Sequence, residues 1–528
     1  MSNKKWEIRI PLLFALAMIA GMMLGYKLTQ GTGKGLFGSN KRNSLQEALD
    51  LIKDRYVDPV NIDTLQQNAI SEMMNGLDPH SVLLPPVELQ EANEELAGNF
   101  EGIGVEFNVF SDTVTVTYVI PEGPSFKAGL LPGDKIIKAG DSSLVQKDIS
   151  TEKIKSLIKG PRNSTVLLSL IRKGKPLQLT VKRGVIPMPS LEAAYMLDSS
   201  TGYMKLTRFA ETTYEEFMKE LESMQKMGMK NLVLDLRDNG GGLLSEAVDI
   251  ADELLSGDKL IVYTEGLHSN RKEFRCERPG LFEKGKLVLL VDELSASASE
   301  VLTGAVQDWC RGTVIGRTTF GKGLVQEHYM LKDGSALRLT VARYYTPLGR
   351  CIQRSYENGK KLYLEEGWER YQAGTTAAAD SLVPHKGKKF LTSCGDTLYA
   401  GGGITPGIFI QREKEDNLPH AAMLLGSVTS FSNYAFQFYL QNQEKLNQFP
   451  TAVAMMNNAA LQQDIWNGWL RNSQKDSVDY RIATATEKRL VQNKLMALIA
   501  RYKWRNNGFY QVMNNKDPFL KKAMEQIK

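Results

Sequence analysis

The chain has 528 residues, 42% hydrophobic and 24% charged, which is enough for three or four domains with sizeable cores. Its net charge is only +5 and its basic residues are spread along the sequence, which argues against nucleic acid as a partner. The four cysteines lie far apart without a CxxC pair. The sequence therefore predicts neither a metal site nor a cofactor, and it leaves the pairing of any disulfides open.

The N-terminus carries an apolar run over 10–26. Three basic residues precede it: Lys4, Lys5 and Arg9. The run is short for a membrane span and long for the apolar core of a signal peptide. Because no clear cleavage site precedes the polar linker 29–43, we expect an uncleaved signal anchor over 1–28, with a buried core helix as the alternative. Basic flanks stay cytoplasmic, so everything after residue 30 is expected in the periplasm, anchored to the inner membrane.

Residues 44–98 are predicted to be helical, because SLQEALDLIKDRYV and VELQEANEEL place apolar residues at helical spacing. From Asn99 the pattern changes to alternating apolar and polar residues rich in β-branched side chains, which indicates strands. A short helix around 151–159 and a hairpin over STVLLSLIRKGKPLQLTVKR follow. Residues 99–184 are therefore expected to form a small β-rich domain.

The next segment, 185–410, is predicted to be an α/β domain, since strand and helix patterns alternate over 200–345. Its strands NLVLDL and KLVLLV are continuous apolar runs, as expected for strands covered on both faces. The loop-rich part 346–410 closes the domain. Residues 411–528 are expected to form a helical extension, to which the sequence assigns no chemistry.

Ser297 is the candidate nucleophile. It lies in DELSASASEVLTGAVQDW, where a buried strand ends and small residues lead into a helix. A serine at such a junction presents its hydroxyl at the edge of the sheet, and the helix N-terminus supplies N–H groups for an oxyanion. The alternative is structural, because Ser297 and Glu300 also have the spacing of a capping box.

Lys322, in GRTTFGKGLVQ, is the candidate base. A lysine can accept the proton of a serine hydroxyl if burial and the absence of nearby carboxylates lower its pKa towards neutrality. Gln326 is placed to hold the amine by hydrogen bonding. A plain glycine turn with a solvated lysine is the alternative, whereas a P-loop is disfavoured because Gly323 stands where a Ser or Thr is required. The five histidines show no catalytic pattern.

A third motif, LDLRDNGGGLL over 234–244, places three glycines between a strand and a helix. Such glycines expose backbone N–H groups that suit an anion or an oxyanion. An ordinary tight turn explains them equally well.

Together, these motifs resemble those of the C-terminal processing peptidases, the tail-specific group of serine peptidases. The resemblance covers roughly 44–410 and rests on FEGIGVEF, GPSFKAGLLPGDKI, LDLRDNGGGLL, and SASASE followed by TFGKGLVQ, in the family's order. The separation of Ser297 and Lys322 matches the family spacing and selects Ser297 over Ser295 and Ser299. One departure is Gly407, in GGGITPGIFI, where the family commonly has aspartate.

The resemblance implies an α/β multidomain fold: a crotonase-like α/β protease core, an inserted PDZ-like β-rich domain, and helical N-terminal and C-terminal regions. It implies that Ser297 is the nucleophile, Lys322 the general base and Gln326 the residue that orients the base, without a cofactor. The oxyanion hole would be formed by the N–H groups of Ala298 and of a glycine of the 240–242 run, Gly241 or Gly242.

The same resemblance assigns peptide binding to the loop Gly102-Ile103-Gly104-Val105, whose N–H groups would receive a C-terminal carboxylate. Arg183 would relay peptide binding to the protease, with a surface charge as the alternative. The implied function is a serine endopeptidase of the cell envelope that binds unstructured protein C-termini and cleaves them. The rival is a non-catalytic PDZ-containing envelope scaffold. The implied partners are proteins or peptides with exposed C-termini, and self-association is left open.

Overall fold

In the computed structural model, the described residues are 9–30, 44–110, 112–146, 149–373, 387–411, 424–426, 428–475 and 479–528. The chain divides into two compact units, 1–73 and 74–528. The first unit contains the helices Arg9–Gln30 (α1) and Ser44–Arg55 (α2) and most of Ile62–Asn75 (α3).

The predicted signal anchor overlaps α1, and its first eight residues lie outside the described part of the chain. Within the described ranges, no helix is both long enough and apolar enough to cross a membrane. The predicted linker 29–43 lies outside the described residues from position 31 onward.

The second unit opens with a strand, Val82–Leu84 (β1), and a helix, Pro86–Ala97 (α4), which ends at Gly98 in the left-handed conformation that favours glycine. A β-rich module follows. Its elements are Asn99–Gly102 (β2), Val105–Phe110 (β3), Thr113–Val119 (β4), Pro124–Lys127 (α5), Lys135–Ala139 (β5), Ser142–Ser143 (β6), Thr151–Ile158 (α6), Thr165–Arg172 (β7), Lys175–Lys182 (β8) and Gly184–Pro187 (β9).

The module's sheet has the order β3-β4-β5-β7-β8, with β6 beside β5, so β3 is an edge strand. Alternating apolar residues of these strands and Ile154 of α6 form a separate core. Strands β2 and β9 pair antiparallel outside this sheet and hold the entry and exit of the module together.

The α/β domain comes next. Its elements are Leu191–Met196 (β10), Thr201–Leu206 (β11), Thr213–Lys226 (α7), Asn231–Asp235 (β12), Leu244–Leu254 (α8), Leu260–Gly266 (β13), Ser269–Arg275 (β14), Leu287–Val291 (β15), Ala298–Asp308 (α9), Thr313–Gly316 (β16), Leu324–Met330 (β17), Ala336–Tyr345 (β18), Lys360–Ala373 (α10), Lys389–Leu391 (β19), Thr397–Tyr399 (β20) and Ile408–Phe409 (β21).

The strands of this domain form two main sheets. One has the order β10-β11-β12-β15-β16-β21 and is parallel except for β10. The other has the order β1-β18-β13-β14. Strand β17 lies off this path and pairs antiparallel with β18. The α/β alternation was predicted, but the division of the strands between two sheets was not.

The C-terminal extension is helical, as predicted. Its helices are Val428–Gln441 (α11), Gln443–Asn447 (α12), Ala452–Met456 (α13), Ala459–Asn472 (α14), Ala485–Met513 (α15) and Pro518–Ile527 (α16). Together with the two preceding domains, these helices confirm the predicted multidomain α/β fold with helical terminal regions.

The central strands β12 and β15 are almost fully buried because both faces of their sheet are covered. Leu232 and Leu234 of β12 pack against helices α7, α8 and α9, whereas Val233 packs against Phe519 and Leu520 of α16. This arrangement explains the continuous apolar runs of the two strands. It also shows that the end of the C-terminal extension is part of the core of the α/β domain.

A disulfide joins Cys310, just after α9, to Cys394, in the turn between β19 and β20. The thiols of Cys276 and Cys351 are free. The disulfide therefore attaches the 387–411 segment to the helix that begins next to Ser297.

Breaking this disulfide is expected to lower the free energy of unfolding by about 4 kcal/mol, because it closes a loop with a sequence separation of 84 residues. Urea unfolding with and without reductant measures the effect. Cys310→Ser should lower the stability in the absence of reductant and make it insensitive to reductant. Cys351→Ser, which leaves the disulfide intact, is the control and should behave like the wild type.

Candidate active site

A cleft of about 600 Å³ brings most of the predicted site residues together. Residues from both sheets of the α/β domain line it. They include Ser297, Ala298, Gly241, Gly242, Lys322 and Gln326. A larger cavity of about 850 Å³ surrounds the Cys310–Cys394 disulfide and contains none of these residues. The chemistry predicted from the sequence therefore belongs to the smaller cleft.

Ser297 differs from the serines on either side of it. The Ser295 hydroxyl donates to the Leu236 carbonyl at 2.8 Å, and the Ser299 hydroxyl donates to the Asn239 carbonyl at 2.9 Å. Both side chains are buried and bind the turn to the neighbouring strand end. Ser297 is half-buried and lines the cleft. The structure thus separates one serine that faces the cleft from two structural ones.

The backbone of Ser297 has φ 55° and ψ −114°, a strained conformation for a residue with a side chain. Helix α9 begins at the next residue. The Ser297 N–H donates to Glu300 Oε2 at 2.9 Å, so the Glu300 half of the predicted capping box is present. Capping and exposure of the serine to the cleft therefore occur together.

Glu300 connects the serine turn to the lysine loop. Its buried carboxylate accepts four hydrogen bonds. The donors are the Ser297 N–H (2.9 Å), the Lys322 N–H (2.9 Å), the Gly321 N–H (2.7 Å) and the Thr319 hydroxyl (2.5 Å). Burial raises the pKa of Glu300, and the donors act in the opposite direction. The capping spacing was visible in the sequence, but the contact with the lysine loop was not.

Tyr344 makes a second connection between the same two segments. Its hydroxyl donates to the Lys322 carbonyl oxygen at 2.6 Å and also lies 3.1 Å from the Ser297 carbonyl oxygen. The side chain is buried at the base of the cleft. Nothing in the sequence pattern identified this residue, since its role depends on β18 passing beneath both loops.

Lys322 has the environment that a lysine base requires. Burial first, and then the positive charge of Arg338, lower its pKa to about 8, whereas Glu300 and Asp78 act in the opposite direction. Among the described residues, no carboxylate forms an ion pair with its amine. The side-chain Nε2 of Gln326 is buried in the same cleft without a hydrogen-bond partner in the described part of the chain.

The described hydrogen bonds do not include one between Ser297 and Lys322 or between Lys322 and Gln326. Hydrogen bonds between catalytic groups are often long in the absence of substrate and shorten when it binds. The roles of these three residues stay predictions.

The glycine run 240–242 packs directly against the serine turn. A Cβ on Gly241 would lie 2.8 Å from Ser297 Cβ and 2.7 Å from the Ala296 carbonyl oxygen, so a side chain does not fit there. The Gly241 N–H already donates to Asn239 Oδ1 at 2.9 Å. The N–H groups of Gly242 and Ala298 have no partner among the described hydrogen bonds, and their role in an oxyanion hole stays a prediction.

Two histidines lie near the lysine. Burial, and then the charge of Lys322, lower the pKa of His80 to about 4, and its ring contacts the Tyr363 hydroxyl at 3.0 Å. His328 lines the cleft, and burial also lowers its pKa. Both rings are therefore neutral at physiological pH.

The predicted peptide-binding loop connects β2 to β3. Gly104 has φ 74°, a left-handed value that glycine adopts readily. The carbonyl groups of Ile103 and Gly104 accept hydrogen bonds from Ser125 and Ile120, whereas the N–H groups of both residues have no partner among the described hydrogen bonds. Gly102 ends β2 and Val105 begins β3, the edge strand. The loop can therefore offer N–H groups to a carboxylate.

Arg183 is held within the β-rich module by four hydrogen bonds. Its guanidinium donates to the carbonyls of Leu157 and Ile158 at the end of α6, and to Ser164 and Thr165. All of these described bonds stay within the module, and Arg183 is not part of the catalytic cleft. It caps helix α6 and is not a free surface charge, and its role as a relay stays a prediction.

Comparison with known families agrees with this geometry. "Peptidase family S41" matches residues 200–358, and "PDZ domain" matches residues 102–182. A "Family of unknown function (DUF8443)" matches residues 425–506 of the C-terminal extension.

Curated relatives are similar over most of the chain. The carboxy-terminal processing protease CtpA of Bacillus subtilis is 32% identical over 79% of this chain and 89% of its own length. A carboxy-terminal-processing protease of Bartonella bacilliformis is 32% identical over 63% of this chain and 79% of its own. One from Synechocystis is 33% identical over 58% and 72%.

The fold, the PDZ domain and these relatives define a serine protease of the carboxy-terminal processing type. The chain belongs to this family, Peptidase family S41.

Proposed function

We propose that the protein is an endopeptidase that cleaves proteins near their C-termini with a catalytic dyad of Ser297 and Lys322. The observation that carries the proposal is the shared support of the two residues. The Glu300 carboxylate binds the N–H groups of both, and the Tyr344 hydroxyl binds the carbonyls of both. Two loops from different sheets are thereby held at one cleft, with a lysine whose pKa is about 8.

The reaction starts with a neutral Lys322 amine. It accepts the proton of the Ser297 hydroxyl as the serine oxygen bonds to the scissile carbonyl carbon. The resulting oxyanion is stabilised by the N–H groups of Ala298 and Gly242. When the C–N bond breaks, the lysine ammonium returns its proton to the leaving amine. Water then attacks the ester with the same lysine as base, which releases the acid and restores Ser297.

Substrates are proteins or peptides with an exposed, unstructured C-terminus. The N–H groups of Ile103 and Gly104 receive the terminal carboxylate, and the peptide adds as a strand to β3, which ends the sheet. The position of β3 at the sheet edge and the unpartnered N–H groups support this mode of binding.

The enzyme works outside the cytoplasm, in the cell envelope. The basic flank and apolar run at the N-terminus support this location, and so does the Cys310–Cys394 disulfide, because disulfides persist in oxidising compartments. Digestion of an epitope-tagged chain by protease added to spheroplasts would test it. A tag on the catalytic part that is cut only after lysis would contradict it.

Covalent labelling distinguishes the protease from the rival, a non-catalytic scaffold. A fluorophosphonate probe should modify Ser297 in the wild type, as identified by mass spectrometry of the labelled peptide. Lys322→Ala should abolish labelling because the hydroxyl is then not activated. Lys332→Ala, at an exposed turn, is the matched control and should label normally. Wild-type protein that takes up no label, or a Lys322→Ala variant that labels at the normal rate, would refute the dyad.

A further inference from the structure

Two arginines of the catalytic cleft form no ion pair among the described residues: Arg208 and Arg338. Burial lowers the pKa of Arg338, whereas the Glu95 carboxylate attracts the guanidinium without contacting it and raises that pKa. Arg208 follows β11, next to the segment that contacts the glycine run, and Arg338 lies on β18. In the described part of the chain, Glu95 is the one acidic residue that lines the cleft. Together with Lys322, the cleft therefore has an excess of positive charge.

Arg338 lies on the same face of its sheet as Gln326, the residue predicted to orient Lys322. Across the strands it pairs with His328, and two residues along, on the same face, Gln326 pairs with Thr340. Side chains two residues apart on a strand face the same side, and Gln326, His328 and Arg338 all line the cleft. Arg338 Nε donates to His328 Nε2 at 3.0 Å. This bond orients the guanidinium and leaves both of its terminal nitrogens without a partner among the described hydrogen bonds.

Burying an arginine whose terminal nitrogens have no partner is costly unless a ligand supplies one, and Glu95 attracts Arg338 without forming an ion pair with it. The planar guanidinium presents two N–H groups in the geometry of a carboxylate. We propose that Arg338, assisted by Arg208, is a specificity-determining residue that binds a carboxylate of the substrate close to the scissile bond. This inference rests on the proposed function and deepens it. The carboxylate is either the α-carboxylate of the substrate's C-terminus or an Asp or Glu side chain.

The test compares kcat/KM for matched peptides that differ only in charge. In one pair the two peptides end in a free acid or in an amide. In a series of further pairs, the two peptides carry Glu or Gln at one position near the cleaved bond, and each pair tests a different position. For at least one pair the wild type should prefer the carboxylate by roughly 10- to 100-fold. Arg338→Gln should bring that ratio close to one, and Arg338→Lys should give an intermediate ratio because it keeps the charge but loses the fork. Arg343→Gln, on the same strand but outside the cleft, is the control.

A ratio near one in the wild type, or a ratio that Arg338→Gln leaves unchanged, would overturn the inference. If the wild-type protein hydrolyses none of the peptides, that result counts against the Ser297–Lys322 dyad and not against Arg338. In that case binding of the same peptides to Ser297→Ala protein, with and without Arg338→Gln, gives the ratio from dissociation constants. Because the PDZ loop also binds a terminal carboxylate, only the part of the preference that Arg338→Gln removes is assigned to the cleft.

A separate observation concerns the C-terminal extension, whose matched family has no known function. The guanidinium of Arg505, at a kink in α15 with φ 57°, forms an ion pair with Glu106 of β3 and stacks on the Tyr118 ring at 3.5 Å. Arg501 contacts Glu106 as well, at 3.3 Å. Farther along β3, Phe110 stacks on Phe436 of α11. The extension therefore packs on the edge strand of the PDZ domain.

The same stretch of the extension also contacts residues 235–242, which run from the end of β12 through the glycine run and are called the oxyanion segment below. Asp517 accepts a hydrogen bond from Arg237 at 2.7 Å, and Arg237 binds Asp235 at the end of β12. Arg237 begins the turn that leads to the glycine run. Asn514 donates to Tyr195, which lies on the edge strand β10. Residues 501–517 thus contact both the strand next to the carboxylate-binding loop and the strand end next to the oxyanion glycines.

We infer that the extension couples the PDZ domain to the active site by holding β3 and the oxyanion segment in one arrangement. Glu106→Gln and Arg505→Gln should each lower kcat/KM for a substrate with a free C-terminal tail by roughly tenfold. Hydrolysis of a short peptide with a blocked C-terminus should stay unchanged. The double variant should lose clearly less than the product of the two single losses, because both substitutions remove the Glu106–Arg505 ion pair, although Glu106 also contacts Arg501 and Arg505 also stacks on Tyr118. Asp464→Asn, which removes the exposed ion pair with Lys445 inside the extension, is the control.

Equal losses for the tailed and the short substrate, or additive losses in the double variant, would overturn this second inference. Circular dichroism and thermal unfolding of each variant establish that the fold is kept. If Arg505→Gln fails to fold, Glu106→Gln alone still separates the two substrates.

Discussion

Lys322→Ala is expected to lower kcat/KM by about 10³- to 10⁴-fold, because the serine hydroxyl then has no base in the cleft. Ser297→Ala should cause a loss of the same order, and the double variant should be no worse than either single variant, since the two residues act as one unit. Steady-state hydrolysis of a tailed substrate measures the effect. Lys332→Ala should keep wild-type activity. A Lys322→Ala variant with more than a tenth of wild-type activity would contradict the assignment.

The pH dependence gives an independent measurement of the same base. Lys322 acts in its neutral form, and burial and Arg338 lower its pKa from 10.5 to about 8. The value of kcat/KM should therefore rise with pH, reach half of its plateau near pH 8 and stay level above it. Arg338→Gln removes a positive charge near the amine, so its profile should shift to higher pH. A rise centred below pH 6.5 in the wild type would point to a histidine base instead, because the pKa values of His80 and His328 both lie below the ordinary value.

Glu300→Gln is expected to reduce both stability and activity. The amide replaces one acceptor oxygen by a donor that faces N–H groups, so about half of the four hydrogen bonds to Glu300 are lost. The free energy of unfolding should fall by about 3 kcal/mol or more. Activity well below the unfolding temperature should fall by about 10²-fold, because the serine turn and the lysine loop are no longer held together.

Glu327→Gln, an exposed position on β17, is the control for this substitution and should change neither property. Denaturant unfolding gives the stability, and hydrolysis at a temperature where the variant is fully folded gives the activity. A Glu300→Gln enzyme that is destabilised but fully active would limit Glu300 to a structural role.

Much of the architecture followed from local patterns. The change from helical to alternating spacing at Asn99, and the apolar runs of β12 and β15, were enough to separate the β-rich module from the α/β domain. These patterns report which faces of an element are buried, and burial is a property that each segment expresses in its own residues. These patterns do not identify the element that packs against each buried face. The sequence predicted that both faces of β12 are covered but did not identify α16 as the cover of one of them.

The candidate site shows the same division. Ser297, Lys322 and Gln326 were identified because their spacing resembles that of a known family. Glu300 was identified only as a cap. Tyr344, Arg338 and Arg208 were missed, because each reaches the cleft only through the packing of elements that lie far apart in the chain. The contacts of Arg183 with the end of α6 were missed for the same reason, since a lone charge in a sequence does not state where its side chain will bind.

The sequence by itself determined the class of protein, the order of its domains and the pair of residues that we expect to carry the chemistry. These properties are encoded in periodicity, in glycine and serine positions and in spacing along the chain. Only the tertiary structure decided that Gly241 gives its N–H to Asn239, that Glu300 and Tyr344 hold two loops together, and that the C-terminal extension reaches both the PDZ strand and the oxyanion segment. Hydrogen bonds and ion pairs between distant residues depend on how the sheets pack, and no local pattern in the chain records that packing.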